Sequence, residues 1–234
     1  MLHKIFPLLF FSVFFVKSPT TSHKEPKLAA NTVVKTVSKS EQIYTGLKSN
    51  NFSLPQLESF KYAYEGFVAL KEKGLVKKNI LTLIDFSQSA NSKRLWVIDM
   101  ESQTVLFHTL VAHGRNTGEE FATNFSNVAE SFKSSLGFYA TAEVYQGKHG
   151  VSLRLDGLEK GINDNARNRA VVMHGADYVS EKFIQQNKRL GRSLGCPAVP
   201  VELSAEIIET IKDKSCLFIY HPTRNYVAKS KLVS

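Results

Sequence analysis

A thiol becomes a useful nucleophile only when a neighbouring group takes its proton, so the two cysteines and seven histidines of this chain are weighed first. Cys196 sits in GRSLGCPAVP, residues 191–200. Gly191 and Gly195 allow backbone conformations and close approaches closed to other residues. Pro197 and Pro200 fix two φ angles and remove two amide donors just after the sulfur. A packed cysteine usually stands in regular apolar periodicity; this one stands in a rigid, polar-edged loop. Cys216, in SCLFIY, reads instead as a residue of a buried strand. In an exported chain a Cys196–Cys216 disulfide is possible on count alone. It would disable the nucleophile, and the Gly-Cys-Pro context has no need of a staple.

The base is sought upstream, in AVVMHGADY. Residues 170–173 form a short apolar run, readable as a buried strand, and His174-Gly175 would emerge at its tip. A lone histidine is more often a structural hydrogen-bonder, and a lone cysteine more often a small hydrophobe. The two together, each beside a glycine, favour a Cys-His pair. His221 follows Cys196 but precedes Pro222 and lacks a glycine neighbour, which makes it the weaker base. His113, before Gly114, ends another strand; it is either a substrate contact or backup base in the same cleft, or a histidine satisfied by backbone groups. A metal site from His113, His174 and Cys196 lacks the tight ligand pairs of structural zinc.

His174-Gly175 with Ser193-x-Gly195-Cys196 resembles the signature of the L,D-transpeptidases of the YkuD-like fold. The wording GRSLGCPAVP, with FSN at 125–127 and SSLGFY at 134–139, resembles the murein L,D-transpeptidase catalytic-domain branch more closely. The likeness runs over roughly residues 79–221. Leu194 precedes Gly195, and Pro197-Ala198 follow Cys196, where the commoner signature carries a histidine and an arginine or asparagine; the gap from His174 to Cys196 is also longer. In papain-like and wall-hydrolase cysteine peptidases the cysteine comes first, whereas here His174 does.

The resemblance implies a peptidoglycan cross-linking enzyme with no metal or organic cofactor. His174 keeps the Cys196 sulfur thiolate-like while a backbone carbonyl near Gly175 orients its other nitrogen. The sulfur attacks a stem peptide at the L-centre of its third residue and expels D-alanine. A second stem's amine then attacks the thioester, leaving a 3→3 cross-link. The Gly195 and Cys196 amides are expected to receive the oxyanion, and Ser193 to position the loop. Arg192 either meets a substrate carboxylate or forms a surface salt bridge. Two other readings stay open: an L,D-carboxypeptidase or endopeptidase, in which water takes the acyl group, and a non-catalytic wall-binding module. The expected partners are stem peptides, with no nucleic acid, and the chain is expected to be a monomer.

The net charge of +9 would suit nucleic acid if it formed a face. It does not: residues 51–222 carry 20 Lys and Arg against 19 Asp and Glu. The excess lies at the two ends of the chain. At the N-terminus His3 and Lys4 precede an apolar run over residues 5–16, long enough for a signal-peptide core and too short to span a bilayer comfortably. Export to the periplasm or cell envelope is expected, with membrane contact only in transit and cleavage near residues 18–22.

The elements that must carry these groups emerge from periodicity. Residues 1–22 read as a signal peptide, 23–50 as a flexible linker, 51–222 as the catalytic domain and 223–234 as a basic tail. Ser53-x-x-Gln56 is a candidate capping box before Leu57, Phe60, Tyr64, Phe67 and Val68, which recur at helical spacing to Gly74. Strands are expected over 79–86, 94–99, 104–112, 138–145, 152–155, 170–173 and 216–220, and short helices over 180–189 and 203–212. The fold class is therefore mainly β with peripheral helices, a mixed-sheet sandwich or curled sheet as in the YkuD-like fold.

Overall fold

The computed structural model describes residues 3, 10–12, 14, 16, 37–148 and 150–233. The signal-peptide reading of residues 1–22 falls almost wholly outside them, as does the linker up to residue 36. Residues 37–233 lie in one compact unit.

Eight strands form one mixed sheet: β1 (Ile80–Asp85), β2 (Leu95–Asp99), β3 (Thr104–Thr109), β4 (Gly137–Gly147), β5 (Gly150–Gly157), β6 (Val172–Gly175), β7 (Ala198–Val199) and β8 (Cys216–Tyr220). Their order is β3-β2-β1-β8-β4-β5-β6-β7, with β1–β8 and β6–β7 parallel and the other pairs antiparallel. The central strands β1 and β8 are almost wholly buried, which is why they read as unbroken apolar runs rather than alternating ones. Beyond β3 the chain pairs again: Ala112 bridges Ala198 of β7 and Gly114 bridges Ser193. The two ends of the sheet thus meet, and the sheet is curled and nearly closed. This is the mainly β fold with peripheral helices that the pattern of elements predicts.

Helix α2 (Leu57–Glu72) packs on β1 and β8 through Phe60, Ala63, Phe67 and Leu70, all buried. Gly66 lets it come close, since a Cβ there would stand 2.0 Å from Phe138 Cζ. Ser53 and Gln56 do not form the expected capping box: Gln56 is the N-cap without a side-chain bond, and the Ser53 carbonyl accepts from Trp96 Nε1 at 2.7 Å. A capping box occurs one helix earlier, between Ser38 and Glu41 of α1 (Lys39–Thr45). That helix lies inside the stretch read as a linker. It is held by Ser40 Oγ donating to Glu65 (3.2 Å) and Tyr44 Oη donating to the Pro55 carbonyl (2.8 Å).

The helices α3 (Glu181–Asn187) and α4 (Val201–Ile211) flank the cysteine loop, and α4 packs on β5 and β6. The final segment, read as a free basic tail, folds back as α5 (Arg224–Val227) with Tyr226 and Ser230 buried. Its anchor is the buried Glu159 carboxylate, which accepts from the Phe138 amide (2.7 Å), Tyr226 Oη (3.1 Å) and Ser230 Oγ.

Strand β6 differs from expectation in register. It starts two residues later, so His174 and Gly175 are its last members rather than the residues after it. The reason is Ala170, whose φ of 51° is left-handed and cannot belong to a strand.

Candidate active site

The loop carrying the sulfur is fixed by hydrogen bonds of its own. The Ser193 amide donates to the His113 carbonyl (2.9 Å) and its carbonyl accepts from the Arg115 amide (2.8 Å). The Ser193 hydroxyl accepts from the Gly195 amide (3.0 Å) and donates to the Cys196 carbonyl (2.6 Å). Gly195 has φ 128°, a region closed to residues with a Cβ, and a Cβ there would lie 3.0 Å from the Lys133 carbonyl oxygen. Its own carbonyl accepts from Ser134 Oγ at 3.0 Å. Because Ser193 Oγ already occupies the Gly195 amide, that amide is not offered to an oxyanion as expected. The Cys196 amide takes part in no hydrogen bond among the described residues.

The Cys196 sulfur accepts from the Val172 amide at 3.5 Å and lies 3.8 Å from the Ala170 carbonyl oxygen. It opens onto a cavity of about 740 Å³ whose walls include Phe132, Arg169, His174, Tyr178, Arg192 and Leu194. Burial pushes the Cys196 thiol up; the Val172 amide and the Arg169 charge pull it back down, and burial outweighs them. The direction favours the thiol form, for which attack calls for a base. Both cysteines are free, with Cys216 buried in β8, so no disulfide competes for the sulfur.

His174 is held between two strands, opposite Ser152 of β5 and Ala198 of β7, the latter two residues beyond the cysteine. The ring is 4% exposed and lines the same cavity as the sulfur. Its Nδ1 lies 2.9 Å from the Gly175 carbonyl oxygen. A carbonyl only accepts, so Nδ1 carries the hydrogen of this contact. Gly175 admits α4: a Cβ there would meet Ser204 Oγ at 2.7 Å.

The structure does not bring His113 to the cavity. The ring is fully buried, with Nδ1 2.8 Å from Arg94 Nη2 and Nε2 3.2 Å from the Gly118 carbonyl oxygen. The guanidinium can only donate, so Nδ1 accepts and Nε2–H donates. Burial, with the Arg94 charge adding to it, holds the imidazole down to about 4. His113 is a neutral structural histidine whose backbone carbonyl supports Ser193. Arg94, buried beneath it, also donates to the Val111 and Gln88 carbonyls.

Arg192 lines the cavity, and its Nη1 is engaged by the Arg115 and Gly118 carbonyls (both 3.1 Å) and by Glu119 (2.7 Å). Of its two expected roles the structure contains the salt bridge, tied to the 115–119 turn.

The His221 ring lies tilted against Phe125 and is not among the residues lining the cavity. Among the described residues no group of three or more His, Cys, Asp or Glu is placed to hold a metal ion. Residues 116–135 read from the sequence as a long polar connection of the kind that often carries function, and Glu130 and Phe132 of it line the cavity. Arg169, which also lines it, is not singled out by the sequence.

The profile of the L,D-transpeptidase catalytic domain matches residues 53–220. Among curated proteins none matches. Solved structures similar to this chain include an L,D-transpeptidase from Mycobacterium smegmatis (12% identity, 61% of this chain and 59% of that one, TM-score 0.37). Others are the helical cell shape determining protein Pgp2 from Campylobacter jejuni (11%, 71% and 55%, 0.40) and an L,D-transpeptidase from Xylanimonas cellulosilytica (13%, 76% and 90%, 0.36). The aligned part spans between about a half and three fifths of the first of these structures, and at such scores the likenesses add no detail. The profile match covers most of the sequence, and by it the chain belongs to the L,D-transpeptidase catalytic domain family.

Proposed function

We propose that the protein is an exported, cysteine-dependent transpeptidase that forms 3→3 cross-links between peptidoglycan stem peptides. What supports this reading is that Cys196 and His174 line one cavity and that the imidazole Nδ1 lies on the Gly175 carbonyl. In this reading His174 accepts the thiol proton during attack.

As the sulfur attacks the carbonyl of the L-centre, its proton passes to His174 Nε2 and a C–S bond forms. The Cys196 amide faces the developing oxyanion. Collapse breaks the peptide bond to the terminal D-alanine, whose amine leaves with the proton from His174. The thioester is then attacked by the side-chain amine of a second stem. His174 takes a proton from that amine and returns one to the departing sulfur, so the free thiol is regenerated. No redox or metal step enters this sequence. Ser193 holds the loop and Arg192 borders the donor stem. Residues 1–22 direct the chain to the envelope in this reading. No described helix is long and apolar enough to cross a membrane.

The test is mass spectrometry of muropeptides incubated with the wild-type protein and with Cys196→Ser. A 3→3 dimer that appears with the wild type and vanishes in the variant is the expected result. Cysteine-dependent loss of D-alanine without dimer would replace the transferase with a carboxypeptidase. Identical products from both proteins would leave only a wall-binding module.

A further inference from the structure

Arg169 is the most heavily tied side chain of the cavity wall. Its Nη1 donates to the Ser126 carbonyl (2.8 Å) and to Ser135 Oγ (2.6 Å). Its Nη2 donates to the Lys133 carbonyl (2.6 Å) and to Ser131 Oγ (3.4 Å). All four acceptors belong to the 126–135 segment. The remaining donor, Nε, is buried without a hydrogen-bond partner. The same segment backs the cysteine loop: a Cβ on Gly195 would stand 3.0 Å from the Lys133 carbonyl and 3.5 Å from Arg169 Nη2.

Two of the three residues after Arg169 reach the sulfur directly. Ala170 is left-handed and its carbonyl faces the Cys196 sulfur; Val172 then donates its amide to that sulfur. Glu130 and Phe132, also left-handed non-glycine residues, line the same cavity. Such conformations cost about 1–3 kcal/mol each and persist only where the surroundings hold them. Arg169 joins the two strained segments.

We propose that Arg169 is the positioning residue of the nucleophile: it clamps residues 170–172 against the 126–135 segment, so that the Val172 amide meets the sulfur, and sets a fixed positive charge beside the thiolate as it forms. The inference rests on Cys196 being the nucleophile of the proposed reaction. It does not depend on what the acyl donor is. The charged and titratable groups that share the cavity with the sulfur are Arg169, His174 and Tyr178, with Glu130, Tyr145, Lys148 and Arg192 completing the ionisable lining. A lysine in place of Arg169 keeps the charge and loses the fork; a glutamine keeps polar contacts and loses the charge.

The experiment is the pH dependence of Cys196 alkylation by iodoacetamide in the full chain, read by peptide mapping so that Cys216 is scored separately. Arg169→Gln is expected to move the midpoint up by about one pH unit, slowing alkylation at neutral pH about tenfold. Arg169→Lys, which keeps the charge and loses the fork, is expected to move the midpoint up by less, about half a unit. An unchanged midpoint in Arg169→Gln overturns the proposal, and so does an equal shift in both variants, which would mean that the charge has no part in setting the thiol.

If Arg169→Gln does not fold, Ser135→Ala loosens the clamp while keeping the charge. A smaller upward shift is then expected, and no shift overturns the proposal. Alkylation reads the thiol whether or not stem peptides are turned over. Absence of 3→3 dimers with the expected shift intact would therefore sink the transpeptidase reading and leave this one standing.

Discussion

Two histidines of this fold, His113 beyond β3 and His174 in β6, each precede a glycine, and their ring nitrogens separate them. His174 has Nδ1 on the Gly175 carbonyl and shares a cavity with the sulfur. His113 has one nitrogen on Arg94 and the other on the Gly118 carbonyl. Sequence alone leaves both open, because an imidazole's role depends on what meets its second nitrogen, and Arg94 lies nineteen residues away along the chain. The difference has a pH signature. His113 is held down to about 4, below the usual 6.5 of the unfolded chain. A depressed folded value means that the neutral ring supports the fold above pH 6.5. That support is lost as acid is added, down to about pH 4. Its ceiling is about 3 kcal/mol. We expect urea midpoints to fall between pH 7 and pH 4.5 in the wild type, and to fall less in His113→Gln, which has no titrating ring. Equal acid sensitivity in the two proteins would rule out His113 as a source of acid lability. The variant's folded fraction should keep its Cys196 alkylation rate, since the ring does not face the cavity.

At the scale of elements, the cysteine loop is the most legible part of the site. Its glycine and serine are demanded by local backbone geometry, which acts within a few residues and so is written in short sequence. The strand before it begins two residues later than its apolar run suggests, because nothing in the identity of Ala170 announces a left-handed conformation. The backing of the cysteine loop, Arg169 with the 126–135 segment, is assembled from parts distant in sequence, and no local pattern encodes it. The loop itself offers a sharp test. Gly195→Ala puts a side chain at φ 128° and 3.0 Å from the Lys133 carbonyl, at a cost of roughly 1–3 kcal/mol. Ser193→Ala leaves the backbone unstrained but removes the hydroxyl that bonds both Gly195 and Cys196. We therefore expect Gly195→Ala to lower the thermal midpoint clearly. Ser193→Ala should lower turnover at least tenfold with a smaller loss of stability. Turnover by Ser193→Ala equal to wild type would show that the hydroxyl does not set the position of the sulfur.

For the whole molecule, the mainly β class is legible because central strands buried on both faces leave long apolar runs, and nearly closed curvature is not, because it depends on Ala112 meeting Ala198 across 86 residues. The chain ends mislead for a related reason. Segments rich in charge look solvated, yet α1 and α5 each bury a few groups that only tertiary contact reveals. The C-terminal one closes over Glu159, 6% exposed and without a salt-bridge partner among the described residues, and burial raises that carboxyl above its ordinary value. A raised folded value stabilises the fold most fully below the unfolded carboxyl range, and the gain is lost as pH rises through the folded value. Removing residues 223–234 takes away the Tyr226 and Ser230 donors and exposes Glu159 to water. Truncation should cost roughly 1–3 kcal/mol at neutral pH, and more at pH 4.5, because a carboxyl raised by its cover gains stability as acid is added and an uncovered one does not. Urea denaturation of both proteins at the two pH values measures the gap, and the His113 contribution cancels because both contain it. A gap that narrows on acidification would mean that Glu159 is not what fastens the end of the chain to the sheet.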